Sequence, residues 1–285
     1  MLRLEGKDAF FLYQETPAYL NHTLKIHIAD AVNGNVPYSL VREGFQNIVD
    51  STPIFRSRVS FVPLGLHHPV MYEDPEFDID GHIIRYRIPS PAEQRDLEHC
   101  IAHIASGELD KSKPLWELWI LEGLENNKFA LVLKLHHALA DGIASVELIT
   151  RLWSQSTGDN ATIVRIPYKP EQVPSRLALI AGALKEHVKY DIINFPAFLA
   201  EFLKVVGRVA RFSKRQFSPT VHAIQNDIPR THFNYALSGR RSFALGKIPL
   251  ADIQDTRKAL NCTINDVVLF LATTSLRNYL ISKND

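Results

Sequence analysis

Residues 129–142 read Phe-Ala-Leu-Val-Leu-Lys-Leu-His-His-Ala-Leu-Ala-Asp-Gly and decide the fold class of this chain. The first half, Phe129–Leu135, is rich in branched and apolar residues and predicts a strand. Ile143–Ile149 predicts a helix, so Asp141 and Gly142 fall at its first turn. A carboxylate is favoured there by the helix dipole and by free backbone N–H groups. A strand followed directly by a helix indicates an α/β fold.

Two histidines, His136 and His137, stand where the predicted strand ends. Imidazole has a pKa near neutrality, so it can take a proton and return it at cellular pH. Neighbouring side chains on a strand point to opposite faces. We expect His137 to be the chemical residue and His136 to be structural or orienting.

Two other interpretations of the histidine pair remain open: a metal site and an inert pair in the core. Opposite orientations make it difficult for both rings to bind one ion, and no third histidine or cysteine lies nearby at zinc-like spacing. We therefore expect no metal and no cofactor.

The bulk composition favours a soluble cytoplasmic enzyme. The formal net charge of +1 argues against a dedicated nucleic-acid binder. The two cysteines, Cys100 and Cys262, form no metal or disulfide pattern. Charged residues near the N-terminus interrupt any signal-peptide run, and no apolar stretch is long enough to span a bilayer.

Residues 136–142 form an H-H-x-x-x-D-G motif. Several further segments of the chain add to it. They are Met1–Leu4, Asp8–Pro17, Pro53–Arg58, Leu109–Glu117, Asn234 with Ser238–Arg241, and Asn265–Val268. With these segments the chain resembles the bacterial wax ester synthase/diacylglycerol acyltransferase family over nearly its whole length. The histidine motif alone is shared with condensation domains. The N-terminal segment, P-L-W-E at residues 114–117 and N-D-V-V at residues 265–268 narrow the resemblance to this family.

The resemblance implies a chloramphenicol-acetyltransferase-like α/β (α+β) fold with two similarly folded halves. On that basis we expect an N-terminal acyltransferase domain over residues 1–166, a helical linker over 167–238, and the start of a second domain over 239–285. Prolines at 167, 170 and 174 mark the first boundary. Family members run well past this length. We therefore expect a complete first domain, a second domain only begun, and either a truncated polypeptide or a separate complementing chain.

The resemblance also implies an activity: transfer of a long-chain acyl group from acyl-CoA to a fatty alcohol or diacylglycerol, with His137 as base. No G-x-S-x-G elbow suggests a nucleophile. Asp141 has two open roles, orienting the imidazole or holding the turn, and the family fold favours the second. Gly142 would keep the tunnel wall open beside His137. Asn265 would donate to the oxyanion, or would only be a polar residue at a helix start.

Two other functions stay open. A partial or non-catalytic fragment would act by binding a partner chain or a lipid surface. A condensation-type acyltransferase would use a carrier-protein donor, and it would predict a neighbouring carrier domain, of which the sequence shows none.

Basic and apolar residues interleave between Phe202 and Asn226, with no acidic residue among the cations. The cations are Lys204, Arg208, Arg211, Lys214 and Arg215. Such a pattern is compatible with docking on an anionic membrane, at the inner membrane or on lipid bodies. The alternative is a solvated face of an interdomain helix.

Hydrophobic periodicity and helix-breaking residues predict the remaining helices and strands. Helices are expected at 8–13, 38–50, 92–106, 175–212, 251–260 and 263–282, the last capped by Thr263. Extended segments are expected at 23–29, 55–62, 69–73, 83–88, 116–122, 129–136 and 242–248.

Overall fold

The structure is a computed structural model, and it describes residues 1–32, 35–139, 165–213 and 231–283. The described chain divides into two compact units. The first comprises Met1–Ile192 with Ser238–Ala244, and the second comprises Ile193–Leu237 with Leu245–Asp285. The mixed α/β class expected from the sequence is confirmed, while the three-part domain division stays a prediction.

A four-stranded sheet organises the first unit. Its strands are β2 (His22–Asp30), β5 (Ile83–Arg87), β6 (Trp116–Leu124) and β7 (Lys128–His136), in the order β2-β7-β6-β5. The neighbours of β7 are both antiparallel to it, whereas β5 runs parallel to β6. A second sheet has the order β1-β4-β3, from β1 (Leu2–Arg3), β3 (Ser57–Ser60) and β4 (Val70–Glu73).

Helices cover both faces of the four-stranded sheet. They are α1 (Gly6–Gln14), α2 (Tyr38–Ser51) and α3 (Gln94–Ser106). In α2 the buried residues recur at helical spacing, as in Val41, Phe45 and Ile48. These residues share one core cluster with alternate residues of β7, including Leu131 and Leu133. Successive strand residues point to opposite faces, so the other face of β7 is left to α3.

The remaining described helices are α4 (Arg176–Ser213), α5 (Leu250–Ala259) and α6 (Ile264–Ser282). The cap predicted at the start of α6 is confirmed, because the Thr263 hydroxyl accepts a hydrogen bond from the Asp266 N–H at 3.1 Å. Burial does not follow the apolar character of α6. Val267 is buried, whereas Leu269 and Phe270 are 56% and 68% exposed.

Two expectations from the sequence need correction. Residues 53–56 form a 3₁₀ turn that begins at a proline, so the strand expected over 55–62 shortens to β3. The strand expected over 242–248 is wrong. Its alternating pattern is local, but a strand also needs a partner. The neighbouring Arg241 N–H donates instead to the Ser106 hydroxyl at 3.0 Å.

The helix predicted after Gly142 lies outside the described residues. Of the helices within them, none on its own has the length and hydropathy of a membrane span. The pair Leu250–Ala259 and Ile264–Ser282, bent by 101°, reaches those values together.

Candidate active site

The histidine pair is held from both sides by the strands next to β7. The His136 N–H donates to the Leu115 carbonyl at 3.0 Å, just before β6. The His137 N–H donates to the Asn21 carbonyl at 2.9 Å, just before β2. His136 is 0% exposed, whereas His137 is half-buried. The end of β7 therefore presents one enclosed imidazole and one that is open to the surface.

The tautomer of His136 follows from its hydrogen bonds. Its Nδ1 accepts the Ala138 N–H at 3.0 Å, so Nδ1 carries no proton in the neutral ring. The proton then sits on Nε2, which lies 3.6 Å from Oε1 of Glu15. A single imidazole thus closes the backbone turn that follows it and faces a carboxylate on its other side.

Glu15 comes to this site from the segment after α1, and its side chain is only 5% exposed. The Lys111 ammonium lies 2.8 Å from the other carboxylate oxygen, Oε2. Burial by itself would raise the pKa of Glu15. The nearby His136 ring and the Lys111 ammonium together outweigh burial and lower the pKa to about 2. The carboxylate is therefore ionised at neutral pH.

Asn21 ties helix α1 to His137. Its backbone carbonyl accepts the His137 N–H, and its side-chain amide donates to the Phe11 carbonyl at 2.7 Å. The Phe11 ring stacks on the His137 ring, with 4.9 Å between centroids and 21° between planes. The imidazole is thereby oriented by a residue of α1, and the buried Asn21 fixes that helix in place.

The electrostatic surroundings keep the His137 ring neutral. Partial burial lowers its pKa below the ordinary 6.5, and the neighbouring His136 and Lys25 lower it further. A neutral imidazole is the form that accepts a proton. The ring is therefore ready to act as a base at neutral pH.

A layer of buried polar groups lies beside the pair on the α3 face. His22 stands directly across β2 from His136, and its Nε2 donates to the Ala105 carbonyl at 3.0 Å. Burial, followed by the charge of Lys134, lowers the His22 pKa to about 4. Lys134, only 2% exposed, donates to the Gly107 carbonyl at 2.8 Å. These bonds attach the end of α3 to the strands that carry the site.

The other residues predicted for the site lie outside the described part of the first unit. Asp141 and Gly142 lie outside the described residues. Asn265 belongs to the second unit, where it is exposed on the first turn of α6. Within the described ranges, no group of three or more His, Cys, Asp or Glu side chains is arranged to hold a metal ion.

Sequence reasoning missed Glu15 and Asn21 as parts of the site. Glu15 stood within a segment quoted for the resemblance, but no local spacing relates it to a histidine. Both residues reach the site because His22 pairs in register with His136. A predicted pairing of β2 with β7 was the only signal that could have found them.

Comparisons with a family model and with individual proteins point to the same family. A family model described as the wax ester synthase/diacylglycerol acyltransferase catalytic domain matches residues 4–268. Two relatives from Mycobacterium tuberculosis H37Rv are each named "putative" diacylglycerol O-acyltransferase. One is 33% identical over 98% of this chain, and the other is 34% identical over 99%. The chain spans 59% of the length of each of these relatives.

A solved structure supports the fold. The wax ester synthase/diacylglycerol acyltransferase from Marinobacter aquaeolei VT8 superposes with a TM-score of 0.64 at 24% identity. The match covers 99% of this chain and 61% of the other. At this level of identity the likeness establishes the fold alone.

Proposed function

We propose, because the chain belongs to the wax ester synthase/diacylglycerol acyltransferase family, that it takes part in O-acyl transfer. The proposed donor is a long-chain acyl-CoA. The proposed acceptor is a fatty alcohol or diacylglycerol, which gives a wax ester or triacylglycerol. The observation that carries this proposal is the neutral, half-buried His137, held by the Asn21 carbonyl and the Phe11 ring at the end of β7.

The chemistry needs one proton carrier. In the proposed step, His137 takes the proton of the acceptor hydroxyl as that oxygen attacks the thioester carbonyl. The tetrahedral intermediate then collapses, its carbon–sulfur bond breaks, and the imidazolium gives the proton to the leaving thiolate. The thioester is already activated, so no covalent enzyme intermediate is required.

The supporting roles follow the same proposal. His136 holds the turn from within, since its Nδ1 accepts the Ala138 N–H. We assign Asp141 to the turn that follows, and Gly142 to the space beside His137. Asn265 is proposed as a donor to the oxyanion, an interaction typically worth about 3–4 kcal/mol.

A direct assay tests the proposal. Purified protein is incubated with radiolabelled palmitoyl-CoA and either hexadecanol or a diacylglycerol, and the esters are separated by thin-layer chromatography. We expect a labelled ester with at least one acceptor, and its loss in His137→Ala. The matched control is His99→Ala, an exposed histidine on α3. Equal ester formation by His137→Ala and the parent would remove His137 as the base.

A lipid surface is proposed as the docking partner. On α4 the exposed residues Phe195, Leu199 and Leu203 accompany the exposed Lys204. Apolar side chains beside cations suit an anionic bilayer. Arg208 and Arg211 continue the helix, and Lys214 and Arg215 lie outside the described residues. We accordingly propose a cytoplasmic protein that associates peripherally with the inner membrane or with lipid bodies.

Co-sedimentation with vesicles of anionic phospholipid tests the docking. Replacing Lys204, Arg208 and Arg211 together with glutamine should weaken binding, and raised salt should weaken it in the parent. The control replaces three exposed cations elsewhere in the chain, Lys7, Arg95 and Lys258. Equal losses from both triple variants would mean that net charge, and not α4, governs binding.

A further inference from the structure

The fully buried His136 carries a hydrogen-bond donor without a partner. Its Nδ1 lone pair is taken by the Ala138 N–H, so the ring proton is on Nε2. That Nε2 is buried and has no hydrogen-bond partner among the described residues. A buried N–H left unpaired is costly. A nearby acceptor that can approach the ring is therefore required in the working molecule.

Two acceptors lie near the His136 ring. One is the Glu15 carboxylate, whose Oε1 is 3.6 Å from Nε2 and so just beyond hydrogen-bond length. The other is Nδ1 of His22, across the strand pair. The Nε2 of His22 donates to the Ala105 carbonyl, which leaves its buried Nδ1 as a bare lone pair.

The carboxylate is the stronger candidate. Hydrogen bonds to an ionised acceptor are shorter and roughly twice as strong as neutral ones. Lys111 lies 2.8 Å from Oε2 and keeps the carboxylate ionised, in agreement with the lowered pKa of Glu15. Catalytic hydrogen bonds are often long in a free enzyme and tighten when substrate is bound. A small approach of Glu15 would complete this one.

We propose that Glu15 is a positioning residue, whose carboxylate accepts the Nε2 proton of His136 and so fixes the turn that carries His137. The inference rests on the proposed function of His137 as base. Glu15 itself touches no reacting atom. Its effect passes through the His136 ring to the Ala138 N–H, while Asn21 holds the His137 N–H independently.

Kinetics of two variants test the role. Glu15→Met removes the acceptor at similar length. We expect kcat to fall by about 10–100-fold, the size of loss seen when the hydrogen-bond partner of a metal-bound histidine is removed. KM should stay within about twofold of the parent, because Glu15 is buried behind His136. Glu15→Gln keeps a carbonyl acceptor and should retain most of kcat.

A matched control separates positioning from stability. Glu122 is a second buried, ion-paired carboxylate, with Arg85 at 2.6 Å on the adjacent strand. Glu122→Met should lower thermal stability as Glu15→Met does but leave kcat unchanged. A parent-like kcat in a folded Glu15→Met would overturn the proposal, as would an equal kcat loss in Glu122→Met.

Nuclear magnetic resonance of protein labelled with ¹⁵N-histidine gives a readout that does not depend on turnover. The His136 Nε2 proton, assigned by its loss in His136→Asn, should move upfield in Glu15→Met and less so in Glu15→Gln. A resonance unmoved in both Glu15 variants, but shifted in His22→Leu, would make His22 the acceptor and overturn the assignment. A shift in Glu15→Met, with no activity in the parent, would uphold the contact and refute the proposed function.

Discussion

Strand β7 and helix α6 are both strongly apolar in sequence, but they differ in how completely they are covered. In β7 every residue from Phe129 to His136 is buried, including Lys134 and His136. In α6, Val267 is buried while Leu269 and Phe270 remain largely exposed. Apolar content therefore indicates which segment gains free energy when other parts of the chain bury its side chains. The neighbours it finds decide whether it is covered.

The difference extends to chemistry. Burial at the end of β7 lowers the His137 pKa and isolates the His136 proton from water. Asn265, at the start of α6, is exposed. Burial can shift the pKa of a polar group through desolvation, a cause that is absent where the side chain is exposed.

The largest expected effect is on turnover, and it compares His137 at the end of β7 with Asn265 at the start of α6. His137→Ala should lower turnover by about 10²–10⁴-fold, and Asn265→Ala by at most about 10²–10³-fold. Ester formation under saturating substrate measures both. A parent-like rate for Asn265→Ala would leave it a polar residue at a helix start.

The kcat/KM of the parent should be flat near pH 7 and should fall only below about 6.5, as the imidazole with its lowered pKa becomes protonated.

The next effect is on unfolding free energy, and it compares a buried leucine of β7 with an exposed leucine of α6. Leu133→Ala in β7, where the side chain is 3% exposed, should cost about 2–5 kcal/mol of unfolding free energy. Leu269→Ala in α6, where it is 56% exposed, should stay within about 0.5 kcal/mol. Urea denaturation measures the two. Equal losses would show that Leu269 is covered in solution and would remove the contrast.

Helices and strands with strong local periodicity were predictable, and the site only in part. The burial spacing of α2 and the branched run of β7 are written in consecutive residues. Glu15 and Asn21 reach the histidines through the register of β2 with β7, which no local pattern encodes. The strand expected over 242–248 failed for the same reason, since its alternating pattern finds no partner strand among the described residues.

The buried Glu15 carboxylate beside the end of β7 should make the stability of the first unit depend on acid. The Glu15 pKa falls from 4.5 to about 2 on folding. A lowered carboxyl pKa stabilises the fold fully above the unfolded value, and that stability is lost as the pH falls through the folded value. The contribution is on the order of 3 kcal/mol. Unfolding followed by the indole fluorescence of the first unit should show a loss between about pH 4.5 and 2, and Glu15→Gln should flatten it.

The smallest effect concerns the start of α6. Thr263→Ala removes the side-chain acceptor of the Asp266 N–H and should cost about 1 kcal/mol. Because α6 has little burial to hold it, the loss should appear as fraying of its first turn in amide hydrogen exchange. Thr263→Ser is the matched control and should restore protection. Unchanged exchange in Thr263→Ala would show that packing, and not the cap, holds this end.

The hydrogen bonds of Asn21 also bear on how the protein is made. Phe11, Glu15 and Asn21 leave the ribosome well before β7, because they precede it by most of the first unit. Contacts between such distant segments form slowly, and N-terminal parts wait for their partners during synthesis. The residues that orient the imidazole are thus translated first but meet it only once the last strand of the sheet has been added.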